Sequence, residues 1–342
     1  MTAEALPRYP GIVESARRRL LPERFTTSAA PVSPRQIEVV HEIPLFEIPG
    51  ATVEGRTINV HGRSIDAYNV TPTTDEPLKG RLFLANGWRG RASGNHAFIR
   101  HLTDSGFEVT TFTNDFTKGD KDTIREADEQ LDTKGMPKIT FVKAAAIGAT
   151  LDAFPVTSVI ERPGIVAHSE ATIYAGIAAA AKDVDPAYFI QINSAGHAKK
   201  TSLPSMAYKG MRETMQHTEL ETDEIKERVA ASDVIGYVRE HRALARDELR
   251  GIRLISTDRL VEHLHEGGLP TAHIVGSQDI IFPKRQFNKL VKKGIFDYVG
   301  EVESGAHEIS SSPQGYAREV LSAIGHFQTL GTAGKEQALF SS

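Results

Sequence analysis

Ser169 stands in the run Pro163-Gly164-Ile165-Val166-Ala167-His168-Ser169-Glu170-Ala171-Thr172, where an apolar strand-like segment meets an alanine-rich, helix-like one. A serine in so tight a turn has a strained backbone, and strand and helix pass close together, so the residues two before and two after it must be small. Ala167 and Ala171 answer that need, each standing where the pattern G-x-S-x-G has glycine. The helix amino end then points at the serine, favouring negative charge there and freeing the Glu170 amide to bind an oxyanion. A plainer role for Ser169 is to cap the helix.

Serine is a weak nucleophile without a neighbouring base. Two later loops offer partners, in the order acid then histidine. Ala272-His273-Ile274-Val275 reads as a strand, and Gly276-Ser277-Gln278-Asp279 as the loop that ends it in an acid. Val299-Gly300-Glu301-Val302 reads as another strand, and its loop runs through Gly305-Ala306 to His307. The stretch between the two leaves room for one helix and one strand. Asp115, after an earlier strand, is the second choice for the acid. Either Asp279 or His307 can also be read as an ordinary loop residue.

These residues need a scaffold that brings strand ends together. Thr57–Val60 and Ser64–Val70 alternate apolar and polar residues around His61-Gly62-Arg63, the pattern of a hairpin. From Gly80 strands and helices alternate. Strands are expected at Leu82–Ala85, Phe107–Phe112, Gly164–Ala167, Ala187–Ile192, Thr271–Val275 and Phe296–Val302. Helices are expected after a cap at Asn95, over Phe141–Phe154, over Glu170–Ala181 and after Ser312-Pro313. Such alternation implies a mostly parallel central sheet flanked by helices. Ligands then bind beyond the carboxyl ends of the strands. Between Gly196 and Leu269 the strand signal disappears and a charged, leucine-containing stretch reads as several helices. The domains expected are an N-terminal arm (1–36), a core (37–197 and 270–332), a helical lid insertion (198–269) and a C-terminal tail (333–342).

Composition narrows the functions. The 342 residues are 40% hydrophobic and 25% charged, enough apolar material for a large core. A net charge of −4 gives no electrostatic reason to expect nucleic acid as a partner. The absence of cysteine excludes disulfides, thiolate nucleophiles and cysteine-bound metals, and fits a cytoplasmic location. No apolar run reaches membrane-spanning length, so no membrane span is expected. Arg17, Arg18 and Arg19 suggest a transit peptide, but Glu4, Glu14 and Glu23 argue for an exposed arm. No His-Glu-x-x-His or carboxylate loop suggests a metal, and no cofactor is expected.

The elbow Ala167–Ala171, the acid loop Gly276–Asp279 with Pro283, and the histidine loop Gly305–His307 together resemble the α/β-hydrolase fold superfamily over about residues 56 to 330. The resemblance implies Ser169 as nucleophile, His307 as base and Asp279 as the acid that orients it. It also implies a second oxyanion amide from Ala85-Asn86-Gly87-Trp88-Arg89-Gly90, carried to the Trp88 amide beside that of Glu170. Asn86 departs from the histidine often found there. The Trp88 side chain is read either as a pocket wall or as packing under the lid, and Arg89 and Arg91 either as contacts for a substrate carboxylate or, more simply, as solvated. Met206, Tyr208, Met211 and Met215 suit an acyl pocket or plain helix packing. The implied activity is that of a serine esterase acting on a small-molecule acyl substrate through an acyl-enzyme. An acyltransferase, a peptidase or a carbon–carbon bond hydrolase would use the same triad, and a non-catalytic ligand-binding protein is the remaining option. The reading leaves room for a homodimer.

Overall fold

The structure is a computed structural model that describes residues 39–42, 46–131, 133, 136–155, 162–195, 209, 231–282 and 288–340. The N-terminal arm through residue 38, Met206, Tyr208, Met211, Met215 and Pro283 lie outside the described residues.

Among the described residues, nine strands form one sheet: β1 (Val39–Glu42), β2 (Ala51–Val60), β3 (Arg63–Pro72), β4 (Gly80–Ala85), β5 (Phe107–Phe112), β6 (Gly164–His168), β7 (Phe189–Ile192), β8 (Thr271–Gly276) and β9 (Tyr298–Val302). Their spatial order is β1-β2-β3-β5-β4-β6-β7-β8-β9. The first three strands pair antiparallel and join β5 antiparallel, whereas β5, β4, β6, β7, β8 and β9 run parallel. The β2–β3 hairpin turns at His61 and Gly62, both at positive φ (49° and 74°), as a two-residue turn that follows strand twist requires. Arg63 joins the strand rather than the turn.

Continuous apolar strands belong where both faces are covered. Every residue of β5, β6, β7 and β8 is buried. One face carries α1 (His96–Asp104) through Phe98, Ile99 and Leu102, and α8 (Pro313–Phe340) through Tyr316, Val320, Ile324 and Phe327. The other carries α3 (Lys138–Ala153) and α4 (Ala171–Ala180), buried along most of their length. A short helix, α2 (Lys121–Gln130), was not anticipated; Asp120 caps it by accepting the Thr123 amide at 2.9 Å. The expected cap at Asn95 makes no side-chain bond to its helix, because its amide nitrogen donates instead to Asn86 Oδ1 at 2.7 Å.

Within 231–266 the chain forms α5 (Ala231–Glu240), α6 (Arg242–Leu254) and α7 (Thr257–Glu266). Leu260, Val261 and Leu264 of α7 enter the same core as α4, so this helix covers the sheet rather than standing off it. The last helix runs through residues read as a tail, to Phe340. Among the described residues, no helix is long and apolar enough to cross a membrane.

The strand order reverses between β4 and β6. β4 leads to β5 on one side, and the chain returns to place β6 on the other. Ligands of such sheets bind at a switch point of this kind, beyond the carboxyl ends of the strands. Ala85 pairs with Ala167 at that edge, so the Asn86–Arg89 loop begins beside the Ser169 turn.

Candidate active site

The turn after β6 holds Ser169 at φ 55°, in the left-handed region. For a residue with a Cβ this costs about 1–2 kcal/mol. Neighbours pin the backbone on both sides: the Ser169 amide donates to the Ile192 carbonyl at 2.9 Å, and its carbonyl accepts the Ala195 amide at 3.1 Å. Ala167 and Ala171 are fully buried, as the crowded elbow requires. The hydroxyl does not cap α4; it lies 2.8 Å from His307 Nε2.

His307 Nδ1 lies 3.0 Å from Asp279 Oδ2. With Nδ1–H donated to the carboxylate, Nε2 is left with a lone pair for the serine proton. The other carboxylate oxygen, Asp279 Oδ1, accepts the amides of Ile281 and Phe282, each at 2.8 Å. Burial opposes ionisation of Asp279, yet His307 and these amides hold its carboxyl below the usual carboxylate range. Ser169, His307 and Asp279 are all buried, at 7%, 4% and 4% exposure, so a charge on the imidazole would be weakly screened. The structure thus brings together the three side chains expected to meet. Asp115 is not part of this chain of bonds; it pairs with Arg89 at 2.8 Å.

The acid and histidine loops are zipped together. Ser277 and Gln278 amides donate to the carbonyls of Val302 and Gly305 at 3.0 and 2.8 Å. A Cβ on Gly276 would lie 2.3 Å from the Gly305 carbonyl oxygen, so only glycine permits this approach. Asn193, just beyond β7, gathers both loops. Its amide nitrogen donates to the carbonyls of Ala306 (2.9 Å) and His307 (2.8 Å), and its oxygen accepts the Gly276 amide at 2.8 Å. His168 Nε2 donates to the same His307 carbonyl at 2.8 Å, and burial pushes the His168 imidazole pKa down, keeping it neutral. Asn193 and His168 escaped the sequence reading. A polar residue directly after a buried strand was the available signal for Asn193.

The loop after β4 presses on the elbow. A Cβ on Gly87 would meet His168 Nδ1 at 2.9 Å and Ser169 Cβ at 3.0 Å. Asn86, the departure from histidine, latches this loop. Its side-chain nitrogen donates to Thr111 Oγ1 and the Phe112 carbonyl (2.9 and 2.6 Å), and its carbonyl accepts Tyr174 and Asn114. Asn114 also donates to the Gly87 carbonyl at 2.7 Å. No hydrogen bond among the described residues uses the amide of Trp88 or of Glu170.

Trp88 turns its side chain toward α5 and α6: its Nε1 donates to Glu248 Oε2 at 2.6 Å, and its ring lies edge-on to Tyr237 at 5.9 Å. Arg89 is not solvated as expected. Besides Asp115, its guanidinium stacks on Tyr237 at 4.3 Å. Behind the elbow lies a buried ionic cluster that the sequence reading passed over, with Lys143 between Glu170 and Glu248, 2.9 Å from each. Burial raises the Glu170 pKa, with Lys143 opposing; burial likewise opposes the Lys143 charge, but the two carboxylates prevail and raise its pKa. A lone lysine amid the alanines of 141–154 was the sequence signal for it.

No family model and no curated protein matches the sequence. Solved structures match its fold. A protein described as a lipase from Acinetobacter baumannii superimposes with a TM-score of 0.57 at 12% identity, covering 82% of this chain and 93% of that one. The thioesterase domain from the curacin biosynthetic pathway gives 0.52 at 13% identity, over 79% and 99%. N-formylmaleamic acid deformylase from Pseudomonas putida gives 0.52 at 14%, over 78% and 100%. The sheet order, the crossing helices and these likenesses define one class: the chain has the α/β-hydrolase fold.

Proposed function

We propose that the chain is a serine hydrolase that cleaves a carboxylic ester or related acyl bond of a small molecule through an acyl-enzyme. The carrying observation is the continuous line of hydrogen bonds from Ser169 Oγ to His307 Nε2 and from His307 Nδ1 to Asp279, at 2.8 and 3.0 Å. In this reading His307 takes the Ser169 proton as Oγ attacks the acyl carbon. Asp279 holds the tautomer and stabilises the imidazolium that forms. The amides of Glu170 and Trp88 donate to the oxyanion, and His307 returns the proton to the leaving group. Water, deprotonated by His307, then attacks the acyl carbon and frees Ser169 and the acid.

The neighbours' names support acyl chemistry, since a lipase, a thioesterase and a deformylase each cleave an acyl bond. The inserted helices ahead of α7 are read as a lid; contact of Tyr237 and Glu248 with Trp88 supports this, because it joins them to the oxyanion loop. A fluorophosphonate probe, which phosphonylates an activated serine, tests the reading. Labelling of the native protein that disappears in Ser169→Ala is expected. Equal labelling of both proteins, or none of the native one, refutes it.

A further inference from the structure

The two residues whose amides this mechanism uses are also joined through their side chains, and the connection runs through α6. Glu170, directly after the nucleophile, accepts Lys143 Nζ at 3.0 and 2.9 Å. Lys143 reaches Glu248 Oε1 at 2.9 Å. Glu248 Oε2 accepts both Trp88 Nε1 (2.6 Å) and the Tyr237 hydroxyl (2.7 Å). The side chains of Lys143, Glu170 and Glu248 are 0%, 4% and 2% exposed. Three buried charges cost several kcal/mol each in desolvation, so such a group rarely improves on apolar packing for stability alone. Its members here are mutually satisfied, and its two ends lie on the Ser169 turn and on the loop after β4.

We propose that Glu248 is a positioning residue of the candidate active site. One oxygen anchors Lys143, and through it Glu170. The other anchors the Trp88 indole, so α6 sets the spacing of the two oxyanion amides from behind. Glu248 itself touches neither substrate nor Ser169 in this scheme. The inference rests on the hydrolase reading and deepens it.

A double-mutant cycle tests it, using Trp88→Phe, which deletes one donor, and Glu248→Gln, which deletes the charge. Ester hydrolysis is measured alongside fluorophosphonate labelling and thermal unfolding. Each single variant should lose roughly tenfold or more in kcat with KM changed less than about twofold, because a displaced donor affects the transition state and not substrate binding. The double variant should lose no more than the worse single, since the contact that Trp88→Phe removes is one that Glu248→Gln already disturbs. Trp88 is the sole tryptophan, so its emission should also shift in Glu248→Gln. Unchanged kcat in folded single variants, or losses that multiply in the double, overturns the proposal. If Glu248→Gln does not fold, Trp88→Phe decides by itself through its kcat. A native protein that neither labels nor hydrolyses brings down the hydrolase reading and this one with it; a labelled native protein with kinetically silent variants brings down the positioning role only.

Discussion

Replacing Gly87 by alanine should damage the chemistry more than the binding. The added methyl would sit 2.9 Å from His168 Nδ1, 3.0 Å from Ser169 Cβ and 3.3 Å from the His168 carbonyl oxygen. Ordinary contacts are made at about 3.5–4.0 Å, so roughly 0.5–1 Å of separation must be found. His168 is poorly placed to give it, being 4% exposed and bonded to the His307 carbonyl. Ser169 is equally fixed by its bonds to Ile192 and Ala195. The Asn86–Trp88 loop must retreat, carrying the Trp88 amide with it. A donor misplaced by about 1 Å costs up to roughly a hundredfold in rate, or about 2.7 kcal/mol of transition-state stabilisation. Overpacking should lower stability by about 1–3 kcal/mol. Steady-state kinetics on a p-nitrophenyl ester, with urea unfolding of the same preparations, reads both. A folded Gly87→Ala protein with native kcat would refute the claim that this loop is seated against Ser169.

Other consequences follow from the elbow and its surroundings. Ser169→Ala and Ser169→Gly should both be inactive, but the glycine variant should be the more stable by about 1 kcal/mol in urea unfolding, because it relieves the left-handed strain at a smaller unfolded-state entropy cost. Equal stability would show that the strain stored by φ at this turn is no larger than the entropy cost of the glycine. The buried His168 imidazole binds a proton less readily folded than unfolded, its pKa being lowered from 6.5. The stability its neutral form contributes is therefore present above about pH 6.5 and lost as pH falls through that value toward the folded pKa. Urea midpoints between about pH 5 and pH 8 should fall more steeply toward acid for the native protein than for His168→Gln, which keeps a donor but cannot titrate. Identical slopes would rule out His168 as the titrating group.

Much of the scaffold was legible because its signals are local. Phe107–Phe112 is a strand with the expected bounds, and Gly164–His168 and Thr271–Gly276 each end one residue beyond expectation, since short runs rich in β-branched and apolar residues, too short for a helix and bounded by turn residues, suit a strand. The small residues around Ser169 carried the same kind of information: steric demand at an elbow is written in the residues that make it. Asn95 shows the limit, because a residue of capping type was drawn away by a tertiary partner, Asn86.

Residue type and order along the chain were enough to nominate Ser169, Asp279 and His307, since each follows a strand and a parallel sheet gathers strand ends at one rim. What folding alone decided is which polar groups meet. Asn193 binding the histidine loop, Lys143 lying between Glu170 and Glu248, and Trp88 bonded to Glu248 all join segments far apart in the chain. Buried polar groups must find partners in three dimensions, and no periodicity or spacing along the backbone records which partner satisfies which.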